Sequence, residues 1–333
     1  MSFSRRTFVT ALAAVGASGL RSSRAAAQEL AKDWPDRPIR LIVPFAAGGN
    51  ADINGRIVGD ILSKALGQPV VVENRAGAGG GVGAEFAARA TPDGYTLLIG
   101  SNGPLTVNPF VNTSMSYDAA NDFAAVAMLS YTPHGLLLSN KSGVKSVADM
   151  IALSKTRPIT LATSGVGSAT HMTLERFKQA TGADLTHVPY KSSGVLLPDV
   201  IAGNIDGAMT EFSTSLEQHK GNSAVIIGIA ARARSKLAAD IPTFDEQGVK
   251  GFLGQSFVGV VAPAKTPAEI IAKLLAAIAS GLAPGSASAE KFISTGSEIA
   301  TPEQMTPAGF AAFIKRDYED MREAAKLAGL GKK

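Results

Sequence analysis

The sequence predicts an α/β protein. Short β-rich runs alternate with helical patterns along most of the chain, and Gly-rich turns stand where several of the runs hand over to helices. The length, 333 residues of which 45% are apolar and 18% charged, suffices for two domains of ordinary size or one large one. Such alternation argues for layered sheets with mostly parallel strands.

Taken in order, Pro38–Val43 reads as a strand and Pro44 to Gly49 as a loop. Asp52–Leu66 is a helix, because Ile53, Ile57 and Ile61 recur every four residues with Val58, Leu62 and Leu66 beside them, and Gly67 ends it. Val70–Glu73 is a strand, Gly77–Gly83 a turn and Ala84–Ala90 a helix. Tyr95–Gly100 is a strand after the Pro92-Asp93-Gly94 turn. The second half repeats the logic. Ile159–Thr163 is a strand, Ser164–Ser168 a Gly/Ser turn, and Ala169–Thr181 a helix closed by Gly182. Leu185–Tyr190, Lys191–Gly194 and Val195–Ala202 form strand, loop and helix, with Gly203 as the stop. Ile205–Met209 and Val225–Ala230 are further strands. Thr266-Pro267-Ala268-Glu269 has the pattern of a capping box with Pro at the first helical position, opening Ala268–Leu282. A last helix, Pro307 to Leu327, carries Phe310, Phe313, Ile314 and Met321 on one side.

The formal charge of +4 resides in Arg5, Arg6, Arg21 and Arg24, all within the first 27 residues; the remaining 28 basic and 28 acidic residues balance. A neutral body has no bulk electrostatic claim on nucleic acid or anionic lipid. The absence of Cys excludes disulfides, thiolate catalysis and Cys-ligated clusters. No apolar run reaches the ~20 residues of a membrane-spanning helix. Residues 1–27 read as a secretory signal: Arg5-Arg6 precedes a mildly apolar stretch, Thr7 to Leu20, and Ala25-Ala26-Ala27 offers a cleavage site before Gln28. The arginine pair points to the twin-arginine route and a periplasmic destination.

Two loops attract a functional reading. Phe45-Ala46-Ala47-Gly48-Gly49-Asn50-Ala51-Asp52 joins a strand to a helix start. Free N–H groups and the positive end of the helix dipole gather there, so it can hold an anion, or it is simply a tight connection. Asn50 or Asp52 is placed to cap the helix. Ser164-Gly165-Val166-Gly167-Ser168-Ala169-Thr170-His171 has the same arrangement with hydroxyls added, which suits a carboxylate. Together the two loops suggest facing half-sites at the carboxyl ends of strands. Ser101 and Asn102, at another strand end, join the candidate set. So do Tyr190, Lys191 and Ser192, which read equally as a solvated turn. Glu211, at a further strand end, is placed to contact a ligand amine or to face solvent. Trp34 reads as a packing anchor.

Other motifs lead less far. Gly79 to Ala84 matches G-x-G-x-x-A after a strand, but the acid expected about twenty residues on is missing. Among the four histidines, His134, His171, His187 and His219, only His171 has a partner at helical spacing, Glu175, and no third metal ligand joins them. No G-x-S-x-G elbow exists. No cofactor, metal or catalytic group is expected.

The ordered set of motifs resembles the periplasmic receptors of tripartite tricarboxylate transporters, the Bug receptors. It comprises Trp34-Pro35-Asp36-Arg37-Pro38-Ile39-Arg40 before Val43-Pro44-Phe45, then Glu73-Asn74-Arg75-Ala76-Gly77-Ala78-Gly79-Gly80 and Pro92-Asp93-Gly94-Tyr95-Thr96-Leu97. Tyr117-Asp118, Asp122-Phe123, Gly165-Val166-Gly167-Ser168, Val188-Pro189-Tyr190-Lys191 and Ile241-Pro242-Thr243 follow. The resemblance implies a two-lobed binding-protein fold of the type II kind, crossed twice by the chain near Ser130 and Gln255. Each lobe would be a mixed, mostly parallel sheet flanked by helices, with residues 28–130 plus 256–333 in one lobe and 131–255 in the other. It implies a small carboxylate cradled by Phe45–Asp52 and Ser164–His171, delivered by a monomeric receptor to integral-membrane transporter subunits. The sequence departs from the family pattern at Ser192-Ser193, Phe257 and Glu211, where Gly, Trp and Asp are usual, and these positions bear on ligand identity. The rival readings are a ligand-sensing subunit of a signalling partner and a nucleotide-dependent enzyme built on Gly79–Ala84.

Overall fold

The computed structural model describes residues 33–330, so the expected signal segment, residues 1–27, lies outside it. The fold is α/β with two lobes, each built on its own sheet. In the first, β1 (Ile39–Val43) runs parallel to β2 (Val70–Asn74) and to β3 (Thr96–Ser101). In the second, β5 (Ile159–Thr163) runs parallel to β6 (Leu185–Pro189) and β7 (Gly207–Glu211).

Two long strands escape the sequence reading. β4 (Phe123–Ser139) has 17 residues, and β9 (Gln255–Pro263) has nine. β9 lies antiparallel between β3 and β4 in the first sheet. From His134 onward β4 instead pairs antiparallel with β7 and with β8 (Ala224–Ile229) in the second. The sheets are therefore mixed, and less parallel than alternation alone implies. Both strands are buried along most of their length, so they lack the in/out alternation that marks a strand in sequence. Pro133 and Gly135 also punctuate β4; Pro133 stands where the partner strand ends, opposite Gln255.

Helices cover both faces. In the first lobe Leu41, Val43, Leu97 and Ile99 pack against Ile57, Val58 and Ile61 of α1 (Asn50–Leu66). Trp34 is buried in the same layer, a packing anchor as expected. On the opposite face Ile42, Leu98, Met128 and Phe257 meet Ala84 and Ala87 of α2 (Gly81–Ala88). A short α3 (Asn108–Val111) follows, and in the second lobe α4 (Val147–Ser154) precedes β5. There Leu161 and Met209 pack against Leu174 and Phe177 of α5 (Ala169–Thr181). Behind them Ala162 and Ala208 meet α6 (Ser193–Ala202) and α7 (Phe212–Lys220). The chain returns to the first lobe along β9 and continues through α8 (Ala268–Gly281), α9 (Ala287–Ser294), β10 (Glu298–Ile299), α10 (Pro302–Met305) and α11 (Pro307–Leu327).

The capping box expected at Thr266 does not form. Pro267 is itself the N-cap, at φ −54° and ψ 139°, and the Thr266 hydroxyl donates to the Pro263 carbonyl at 2.8 Å. A reciprocal box forms instead at Thr301 and Gln304, ahead of α11.

Candidate functional site

The loops that follow β1, β3, β5 and β6 and the end of β7 meet in one cavity between the sheets. The first lobe contributes Phe45, Gly49, Asn50, Ala51, Ser101, Asn102 and Gly103, and β9 contributes Ser256 and Val258. The second lobe contributes Ser164, Ser168, Ala169, Ser192, Ser193 and Glu211.

Four helix N-termini open on this cavity. Those of α1 and α5 are the two that the sequence reading anticipated. α6 starts at Ser193, two residues before the expected Val195 and beside the candidate Ser192, and α7, after Glu211, was not anticipated. First-turn N–H groups have no intrahelical partner and carry the positive end of the helix dipole. Gly49, rather than Asn50 or Asp52, is the N-cap of α1, and no side chain caps it. The N-terminus of α1 is thus left available at the cavity wall. The Asn50 Oδ1 is occupied by Asn54 Nδ2 at 2.7 Å and Ser213 Oγ at 2.9 Å, which leaves its Nδ2 as the free donor. α5 is capped by Ser168, whose Oγ accepts from the His171 N–H at 3.1 Å and donates to the Gly165 carbonyl at 2.7 Å.

Half of the predicted site residues line the cavity: Phe45, Gly49, Asn50, Ser101, Asn102, Ser164, Ser168, Ser192 and Glu211. The rest lie outside the lining, where each has another role. Asp52 turns back onto its own loop, accepting the Gly48 N–H at 3.0 Å, Arg56 Nε at 3.0 Å and Asn74 Nδ2 at 2.9 Å. Burial alone would raise its carboxyl, but these donors hold it below its ordinary value. His171 Nδ1 accepts the Gly167 N–H at 3.3 Å, so it braces the Gly165–Gly167 turn from behind. Its ring stacks on His187 at 4.2 Å. The Tyr190 hydroxyl donates to Asp199 at 2.5 Å. Lys191 is exposed, and its carbonyl accepts the Ala46 N–H across the cleft at 3.1 Å. Ala47 and Gly48 are exposed at the rim, where the Ala47 carbonyl meets Ser192 Oγ at 3.5 Å.

The lobes touch through glycines. A Cβ on Gly194 would sit 2.4 Å from the Gly48 carbonyl carbon, and one on Gly79 would sit 2.6 Å from that of Gly167. The G-x-G-x-x-A stretch is thereby explained without a nucleotide. Gly79 gives room to the opposite lobe, and a Cβ on Gly83 would meet Pro44 Cα at 2.7 Å. The six lining residues missed in sequence divide in two. Ala51, Gly103, Ala169 and Ser193 adjoin predicted positions, whereas Ser256 and Val258 sit on the unanticipated β9.

Behind the wall the polar groups are tied together. Asn102 donates to Asp317 of α11 at 2.9 Å and accepts the Phe257 N–H at 2.9 Å. Burial pushes Asp317 up to about 6, against the hydrogen bonds from Thr106 and Asn102. Glu211 accepts from Ser193 Oγ and, at 3.0 Å, from Ser256 Oγ. Its carboxyl is raised by burial, which those hydroxyls oppose. His134, fully buried, lies 2.8 Å from Ser256 Oγ through Nε2 and 2.8 Å from Thr173 Oγ1 through Nδ1. Since the Ser256 proton is given to Glu211, His134 donates from Nε2–H and accepts at Nδ1.

Burial lowers His134 to about 3, and Arg176 adds to this. A ring held neutral in the fold contributes stability that is complete above 6.5 and is lost as pH falls toward that folded value. Relative to His134→Gln, the wild type is therefore expected to lose up to about 1.4 kcal/mol per pH unit below pH 6.5. Urea unfolding of both proteins at pH 7, 6 and 5 measures this; a constant difference would show that His134 takes up its proton in the fold as it does in the unfolded chain.

Comparison with known proteins agrees with this architecture. Residues 55–316 match the family model described as the tripartite tricarboxylate transporter family receptor. The chain is 35% identical over 301 residues to BugT of Bordetella pertussis, covering 89% of this chain and 92% of BugT. Among solved structures, Rpa4515 of R. palustris, solved with adipate, superposes with a TM-score of 0.86 at 31% identity, over 90% of this chain and 99% of that one. The periplasmic binding protein BugD superposes with a TM-score of 0.85 at 29% identity, over 90% and 100%. The two-lobed α/β fold is that of periplasmic binding proteins, and the chain belongs to the tripartite tricarboxylate transporter receptor family.

Proposed function

We propose that this protein is a periplasmic receptor that captures a small organic carboxylate between its lobes and delivers it to the membrane subunits of a transporter. The observation that carries this reading is the meeting of helix N-termini from both lobes on one cavity. Backbone donors and Asn50 Nδ2 hold the carboxylate, and exclusion of water strengthens each charge-assisted bond. Closure follows because the ligand binds both lobes at once and so favours the closed state over the open one. The proposed contact set is the nine predicted lining residues together with Ala51, Gly103, Ala169, Ser193, Ser256 and Val258.

The same proposal includes export. Residues 1–27 form a twin-arginine signal, and the monomeric body works in the periplasm without nucleic acid. The lobes comprise 28–130 with 256–333, and 131–255; the change of partners along β4 near His134 supports that division. The protein is a binder rather than an enzyme, in keeping with the solute-binding members of its family.

Calorimetry of residues 28–333 against mono-, di- and tricarboxylates and amino acids tests the reading. At least one acid is expected to bind with micromolar affinity or better, while the matching amide does not. A folded protein that ignores every acid would defeat it.

A further inference from the structure

The cavity's charge pattern restricts what its ligand carries at the far end. Resting on the carboxylate reading above, we infer that the ligand is a small zwitterion, an amino acid in the broad sense, whose ammonium group pairs with Glu211. No Lys, Arg or His lines the cavity among the described residues, and Glu211 is its one ionisable group. Glu211 is 7% exposed, and its two oxygens each accept one hydroxyl. A carboxylate has about four acceptor sites, so two remain for a donor from the ligand. Ser101 Oγ, also buried at 6% exposure, has no protein partner and lines the same cavity.

An ionised dicarboxylate fits this pattern poorly. Its first carboxylate would take the helix N-termini, and its second would meet Glu211 with no cation beside it. A zwitterion balances both ends: its carboxylate faces the helix dipoles, and its ammonium supplies the countercharge that buried Glu211 lacks. The acid is also held in place. Ser256 Oγ fixes Oε1 and is itself fixed by His134, while Ser193 Oγ fixes Oε2 from the start of α6.

The test uses triads matched in size that differ only at one group. Alanine, isobutyrate and methylmalonate form one; β-alanine, butyrate and succinate a second; γ-aminobutyrate, valerate and glutarate a third. Calorimetry on residues 28–333 at pH 7.5 is expected to rank the ammonium member first in the best-binding triad, by at least tenfold over the other two. Glu211→Gln is expected to cut the affinity of that member at least tenfold and to change the methyl member less than threefold. A tighter dicarboxylate, or equal binding of ammonium and methyl members, overturns the inference and leaves the carboxylate reading standing. If no triad member binds but another carboxylate does, the inference falls and the carboxylate reading stands; if the parent amine without its carboxylate binds as well as the amino acid, the carboxylate reading falls too. The wild-type ranking decides the matter even where Glu211→Gln fails to fold.

Discussion

Gly194→Val is expected to abolish ligand capture while leaving both lobes folded. Gly194 is the second residue of α6, in ordinary helical conformation, so valine there carries no cost in helix propensity. Its Cβ, however, would lie 2.4 Å from the Gly48 carbonyl carbon and 2.6 Å from its oxygen. Those atoms belong to the opposite lobe and to main chain, so no rotamer relieves the clash. Only parting of the lobes does, and that separates the N-terminus of α1 from those of α5 and α6. We expect at least a hundredfold loss of affinity by calorimetry, with a melting temperature within a few degrees of wild type. Gly167→Val should combine the same loss with a stability cost of roughly 1–3 kcal/mol, because that backbone sits at φ +81° and the new Cβ would meet Asn108 Oδ1 at 2.3 Å. Unchanged binding by Gly194→Val would mean that the closed arrangement is not the one that holds ligand.

The largest stability effect is expected from Phe310→Ala, about 3–5 kcal/mol by urea unfolding. Phe310 of α11 is fully buried and rests on β9 where Gly259 leaves space; a Cβ on Gly259 would lie 2.3 Å from its Cζ. Its ring meets Phe257 edge-on at 5.9 Å. Phe310 thus pins α11 over β9, the strand along which the chain returns to the first lobe. Asp317, two turns further along, steadies Asn102 in the cavity wall, so ligand affinity should fall as well. A loss below about 1 kcal/mol would show that α11 is held mainly by its other contacts.

Where a feature is local, the chain announces it. Ala169–Thr181 ends where expected because Gly182, at φ +64°, closes it in the left-handed conformation that glycine adopts freely. The Gly-rich loops after β1 and β5 were legible for the same reason, and they mark the start of two of the four helices around the site. Legibility stops where burial replaces periodicity. β4 and β9 show no alternation, so the strand character of the stretches around the two expected crossings, and with it the places of Ser256 and Val258, was hidden. The local pattern at Thr266 even misled, since its hydroxyl found a nearer acceptor in Pro263.

By itself the sequence determined the α/β class, the ends of several helices, two Gly-rich turns at helix starts and an acid at the end of a strand. Each of these rests on interactions within about ten residues, and a chain encodes such interactions directly. Only the tertiary structure decided which groups share a cavity. It turned Asp52, His171 and Tyr190 away to neighbouring donors and acceptors, and it brought Ser193, Ser256 and Glu211 together from three separate elements. The reason is competition: a polar side chain goes to whichever partner the packed fold places nearest, and that partner is set by distant parts of the chain.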